Sequence, residues 1–143
     1  MPKLNPYINF DGNAEEAFNF YKSVFGGEFA TVMRFKDTQH GQNMTDEEKE
    51  KIMHIALPLG KDTLLMASDI SGSMVHDLQV GNNIYISMNT DSREEADRFF
   101  NGLSEGGKVE MAMNDTFWGD YFGMLKDRFG TQWMISFHQE PQQ

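Results

Sequence analysis

The chain repeats itself, and that fact narrows its possible folds more than any other. The segment "NAEEAFNFYKSVFGGEF", from Asn13 to Phe29, has a counterpart in "SREEADRFFNGLSEGGKV", from Ser92 to Val109. Asn13 and Ser92 are both suited to cap a helix, and Glu16 and Glu95 follow three residues later, so each segment predicts a capping box. Glu-Glu-Ala follows in the same register, and Phe20-Tyr21 matches Phe99-Phe100. Each helix then runs into a glycine pair, Gly26-Gly27 and Gly106-Gly107, where a left-handed C-terminal cap is wanted. Phe18, Tyr21, Val24 and Phe25 recur at helical spacing and should face a sheet.

The ends of the halves match as well. "TLLMAS", Thr63 to Ser68, parallels "TQWMIS", Thr131 to Ser136, each after a turn containing Lys-Asp. Two copies of one unit are expected, over residues 4–69 and 80–138, with 70–79 as connector, together forming a single domain over 1–143. Each copy reads strand, helix, then three strands. In the first the strands are expected at Leu4–Phe10, Glu28–Phe35, Ile52–Leu59 and Thr63–Ala67; in the second at Asn83–Asn89, Lys108–Met113, Tyr121–Leu125 and Gln132–Phe137. The polar stretch Lys36–Lys51 predicts a loop with one helical turn capped by Thr45 and Glu48. A βαβββ unit covers only one sheet face with its helix. The two sheets are therefore expected to form one curled mixed sheet around a shared cleft, an α+β fold.

Composition removes several functions. A net charge of −10 repels phosphate backbones and anionic lipid, and no basic cluster compensates, so neither nucleic acid nor membrane is an expected partner. Cysteine is absent, which excludes disulfides and thiolate chemistry and fits a reducing compartment. No leader-like or membrane-spanning apolar run occurs, so a cytoplasmic location is expected. Neither G-x-G-x-x-G nor G-x-x-x-x-G-K-[ST] is present, and no G-x-S-x-G elbow. Twelve phenylalanines and eleven methionines supply both a core and soft apolar surface.

The duplicated plan with a glycine pair after each helix resembles the vicinal oxygen chelate superfamily, the glyoxalase and bleomycin-resistance fold. The opening "NPYINFDGNAEEAFNFYKSVFGGEF" and closing "DTFWGDYFGMLKDRFGTQWMIS" resemble its PhnB-like branch. The resemblance implies a divalent metal held by one His or Gln on the first strand and one Glu on the last strand of each module. Carried over, the first-strand positions fall on Asn5, Pro6 or Tyr7 and on Asn83, Tyr85 or Ser87, and the last-strand positions on Met66 and Met134. Thioethers are poor ligands for a hard cation, so no cofactor is expected. A divalent metal in a rearranged site remains the alternative. PhnB-like sequences are often labelled demethylubiquinone methyltransferases. A Rossmann-type S-adenosylmethionine site wants a glycine-rich strand-to-helix turn, and "FDGNAEE" offers one glycine among acidic neighbours.

Candidate ligand contacts in the cleft are Tyr7, His54, Met66, Trp118, Tyr121 and Met134. Alternation puts Tyr121, Gly123 and Leu125 on one face of their strand and Phe122 and Met124 on the other. Asp69, Asp115 and Asp120 flank apolar strands and are candidate bases, against the simpler reading as turn or cap carboxylates. His40 and His76 sit in polar loops, and His138 lies near the tail. The expected function is binding of a small apolar or aromatic molecule by a homodimer. A metal-dependent isomerase, lyase or dioxygenase-like enzyme using His54 is the competing class, and a partner-binding module with an acidic surface the third.

Overall fold

The computed structural model describes residues 2–70 and 78–139, with the side chain of His40 left out. Most of the expected connector, with His76, lies outside the described residues. The chain divides into two compact units, 1–79 and 80–143, each an independent βαβββ arrangement.

Unit 1 contains β1 (Tyr7–Phe10), α1 (Ala14–Phe25), β2 (Thr31–Arg34), a short α2 (Asp46–Lys49), β3 (Ile52–Leu59) and β4 (Thr63–Asp69). Unit 2 contains β5 (Ile86–Asn89), α3 (Arg93–Ser104), β6 (Lys108–Asp115), β7 (Asp120–Lys126) and β8 (Gln132–His138). The two sheets have the same order, β1-β4-β3-β2 and β5-β8-β7-β6. In each, the first strand lies parallel to the last, and the other pairs are antiparallel. These are two four-stranded mixed sheets in tandem modules, an α+β fold.

The edge strands β1, β2 and β5 are shorter than the sequence suggests. For β1 the limit is Pro6, which has no amide to donate, although its carbonyl accepts from Met66. Two 3-10 turns, Phe35–Asp37 and Gln39–Asn43, fill the loop before α2. Thr45 caps α2 as expected, its hydroxyl accepting from the Glu48 amide at 3.2 Å while Glu48 accepts from the Thr45 amide at 3.1 Å.

The cap of α1 differs from expectation. Asn13 makes no side-chain cap bond. Asp69, buried at the end of β4, accepts from the Ala14 amide at 2.9 Å and from the Ile52 amide at 2.9 Å. A carboxylate 55 residues away in sequence thus satisfies the helix start, where a negative charge also complements the helix dipole. At α3, Ser92 Oγ accepts from the Glu95 amide at 3.0 Å, but Glu95 reaches one residue past the cap, to the amide of Asp91.

The two long helices, α1 and α3, each bury one face on their own sheet. Phe18 and Tyr21 of α1 are fully buried, with Phe18 edge-on to Phe10 at 6.2 Å, above Ile55, Leu57, Leu65 and Ala67. In unit 2, Ala96, Phe100 and Leu103 cover Leu125, Trp133 and Ile135. Each large apolar side chain so buried contributes about 1.5–3 kcal/mol. Among the described residues, no helix is long and apolar enough to cross a membrane.

Candidate functional site

Cross-strand register fixes what each helix-free sheet face presents, since directly paired residues point to the same side. In unit 1 the helix side takes Ile55 with Ala67 and Leu57 with Leu65. The opposite side takes Tyr7 with Met66, Asn9 with Ser68, and Met33 with His54. Tyr7 is 49 % exposed, and its ring lies 5.8 Å from that of His54, tilted by 31°. His54 is half-buried and makes no hydrogen bond among the described residues. Ser68 Oγ donates to Asn9 Oδ1 at 3.2 Å.

Unit 2 repeats this pattern. Ser87 pairs with Met134 and Asn89 with Ser136. Ser136 Oγ donates to Asn89 Oδ1 at 2.6 Å. Next to them, Met124 pairs with both Met134 and Met111, giving a row of three thioethers across β8, β7 and β6. Phe122 pairs with Ser136 on the same side. Trp118, in the β6–β7 turn, lies 6.0 Å from the Phe122 ring and 4.9 Å from Phe117, edge-on to both. Trp118 is 52 % and Phe117 98 % exposed, so the turn ends in an open aromatic cluster.

Five of the six residues expected to contact a ligand therefore belong to, or border, the helix-free faces: Tyr7, His54 and Met66 in unit 1, Met134 and Trp118 in unit 2. Tyr121 does not. Its parity with Gly123 and Leu125 is as read, but that is the helix side, where its hydroxyl donates to Asp97 of α3 at 2.5 Å and the Arg93 guanidinium stacks on its ring at 3.8 Å. The Asp97 carboxylate accepting that proton raises the Tyr121 hydroxyl above the ordinary tyrosine range.

The three candidate carboxylates have architectural partners. Asp69 holds two backbone amides as described above. Asp115 accepts both guanidinium nitrogens of Arg93, at 2.8 and 3.1 Å, and the Gln139 amide at 2.8 Å. Those bonds, Arg93 first, hold its carboxyl below the ordinary aspartate range. Asp120 faces His138 Nδ1 at 2.6 Å and accepts from the Trp118 indole at 3.2 Å. His40 lies in the second 3-10 turn.

An open depression of about 430 Å³ lies in unit 1 near the start of α1, bordered by Glu15, Arg34, Glu47, Glu50 and Lys51. Its cations are engaged: Arg34 grips Glu15 through both nitrogens, at 2.5 and 3.1 Å, and Lys51 donates to the Gly12 carbonyl at 2.9 Å. The Arg34 bond holds Glu15 below the ordinary glutamate range.

The metal implied by the superfamily can be tested on donor chemistry. Register selects Tyr7 opposite Met66 and Ser87 opposite Met134 from the possible first-strand positions. Neither pair supplies an imidazole or carboxylate, so these residues do not fit a hard divalent cation. Among the described residues, no group of three or more His, Asp or Glu is arranged to hold one elsewhere. Asn9 and Asn89, on the same faces, are not among the candidates expected from the sequence, although "INFD" and "MNTD" place them alike before each helix.

Comparison with known proteins agrees with the tandem βαβββ plan. A family model described as 3-demethylubiquinone-9 3-methyltransferase matches residues 2–136. The crystal structure of protein PA1353 from Pseudomonas aeruginosa is similar at 39 % identity, covering 98 % of this chain and all of that one, with a TM-score of 0.83. A Bacillus cereus PhnB protein is 24 % identical, over 95 % of this chain and 99 % of that one, with a TM-score of 0.74. A glyoxalase/bleomycin resistance protein/dioxygenase family enzyme from Burkholderia phytofirmans shares the fold at 14 % identity, over 94 % and 97 % of the two chains, with a TM-score of 0.58. The match over residues 2–136 places the chain in the 3-demethylubiquinone-9 3-methyltransferase family, with the fold shared by the PhnB protein and by the glyoxalase/bleomycin resistance/dioxygenase family enzyme.

Proposed function

We propose that this PhnB-like protein binds a small, mostly apolar or aromatic molecule against the helix-free faces of its sheets, without the superfamily's metal. The observation that carries this reading is the pair of register-equivalent couples, Tyr7–Met66 and Ser87–Met134. Thioethers and a phenol ring stand where the superfamily places ionic ligands, which turns an ion-binding position into a deformable apolar one. The row Met111, Met124 and Met134, with Phe122 and Trp118 beside it, extends the same chemistry. Following the superfamily's habit, the working form is a homodimer.

The methyl transfer in the family's description is left out of this proposal for a physical reason. A Rossmann-type S-adenosylmethionine site wants a glycine-rich strand-to-helix turn, and the turn into α1, "FDGNAEE", offers one glycine among acidic neighbours. A second reading is favoured by one observation: the His54 ring, half-buried beside Tyr7, makes no hydrogen bond among the described residues and is available to a substrate or metal. That would suit a metal-assisted isomerase, lyase or dioxygenase-like enzyme.

Metal analysis of purified protein, then calorimetry with Mn, Fe, Ni and Zn, separates the two. The binding reading expects no stoichiometric uptake, together with saturable quenching of Trp118 by naphthalene-type probes. Tight stoichiometric metal binding that disappears in His54→Ala would overturn it in favour of the enzyme.

A further inference from the structure

We infer that Asn9 and Asn89 are the polar recognition elements, each of the helix-free face of its own module, and that a molecule bound there carries a neutral carbonyl oxygen on its apolar skeleton. The inference rests on the ligand-binding reading above and adds the ligand's hydrogen-bonding chemistry.

Three observations support it. First, the two halves of the chain have diverged at most positions of the helix-free faces, Tyr7 against Ser87 among them, yet both keep Asn, Met and Ser in the same register. Asn9 corresponds to Asn89, Met66 to Met134 and Ser68 to Ser136. Two halves under different packing demands retain what a shared task requires.

Second, the bonding is the same in both. The serine hydroxyl donates to the asparagine Oδ1, at 3.2 Å in unit 1 and 2.6 Å in unit 2. That leaves each Nδ2, with two N–H donors, without a partner among the described residues. An amide whose oxygen is engaged is oriented and polarised, and what it seeks is an acceptor.

Third, the setting selects the acceptor. Both asparagines are exposed on the helix-free face, one residue pair along from the Tyr7–Met66 and Ser87–Met134 couples, so an apolar ligand lying there brings its polar atoms within reach. The chain's net charge of −10 works against an anionic acceptor. A neutral carbonyl satisfies the donors without that repulsion.

The test uses two probes of nearly equal shape, 2-acetylnaphthalene and 2-isopropylnaphthalene, titrated into the full chain with tryptophan quenching as the readout. The expected result is that the ketone binds about fivefold more tightly than the hydrocarbon, as one hydrogen bond allows. Asn9→Asp and Asn89→Asp keep the acceptor for the serine hydroxyl but remove the N–H donors, and at least one of them should abolish the preference. Because a variant can fold poorly, amide NMR on the unaltered chain provides a second readout. The side-chain NH2 signals of Asn9 or Asn89 should shift with the ketone and not with the hydrocarbon. Equal affinity for both probes, or a ketone preference that survives in both variants, overturns this inference and leaves the binding reading standing. If neither probe binds, the binding reading fails and this inference with it.

Discussion

Asp69 Oδ1 accepts the backbone amide of Ala14 at 2.9 Å, so the last residue of β4 caps the first helix. Its other oxygen accepts from Ile52, the first residue of β3. One buried carboxylate therefore ties three elements together. Asp69→Ala strands both amides, and at about 1–3 kcal/mol for each unmet buried donor the expected loss is about 2–6 kcal/mol. Asp69→Asn keeps one good acceptor and should fall between. Urea unfolding of the three proteins checks this; a loss below about 0.5 kcal/mol for Asp69→Ala would show that the cap is incidental.

Two glycines of unit 2 leave no room for a methyl group, for different reasons. A Cβ on Gly123 would meet Met113 Sδ at 2.6 Å and Phe100 Cε2 at 2.8 Å, both side-chain atoms that can yield in part. A Cβ on Gly107 would meet the Lys126 carbonyl oxygen at 2.3 Å, which is backbone and cannot. Gly123→Ala should cost about 1–3 kcal/mol, and Gly107→Ala at least the upper end of that range. Thermal melts that rank the pair the other way would contradict the packing described.

The Arg93–Asp115 pair predicts a direction in acid. Folded Asp115 titrates below its ordinary value because of the Arg93 and Gln139 bonds. Its contribution to stability is therefore complete above the unfolded aspartate value, roughly 3.9, and is lost as pH falls through the lower folded value. The stability difference between the natural chain and Asp115→Asn should be largest near neutrality, close in strong acid, and shrink with salt. The side chains are exposed, so the effect is small. Carboxyl carbon NMR of Asp115 provides the direct check, and titration at or above the ordinary value would refute the pairing.

The two tryptophans should behave oppositely. Trp133 is fully buried, and its indole donates to Asp127 at 2.9 Å, whereas Trp118 is half-exposed. Trp118→Phe should remove the acrylamide-quenchable emission and change stability by less than about 0.5 kcal/mol. Trp133→Phe should cost about 2–4 kcal/mol, through lost packing and a buried acceptor left short. Quenching that is unchanged in Trp118→Phe would remove Trp118 from any role as a ligand reporter.

Much of the fold could be read from the chain because its two copies annotate each other. The matched helices, the β3–β4 turn and the Met66–Met134 equivalence each rest on local patterns that occur twice. What escaped depends on long-range pairing. Asn13 has the right chemistry for a cap, but nothing local reveals that Asp69 arrives first. Alternation grouped Tyr121 with Gly123 and Leu125 correctly, yet parity alone does not say which group a helix covers. Gly123 held the signal, since the helix-borne Phe100 ring and Met113 crowd in where its side chain would be. That Asn9 and Asn89 each stand beside a serine follows only from strand register, which no local pattern shows.

The parallel pairing of first strand to last also orders events in time. β3 and β4 are joined by a short turn and can zip together early, whereas Asn9 must find Ser68 across 59 residues and Asn89 must find Ser136 across 47. Contacts of such sequence separation form late, because loop closure costs entropy before it is rewarded. Each Asn–Ser couple is thus a clasp that shuts only when its module is finished. A nascent or partly unfolded chain would display the methionines without the closed Asn–Ser couples beside them.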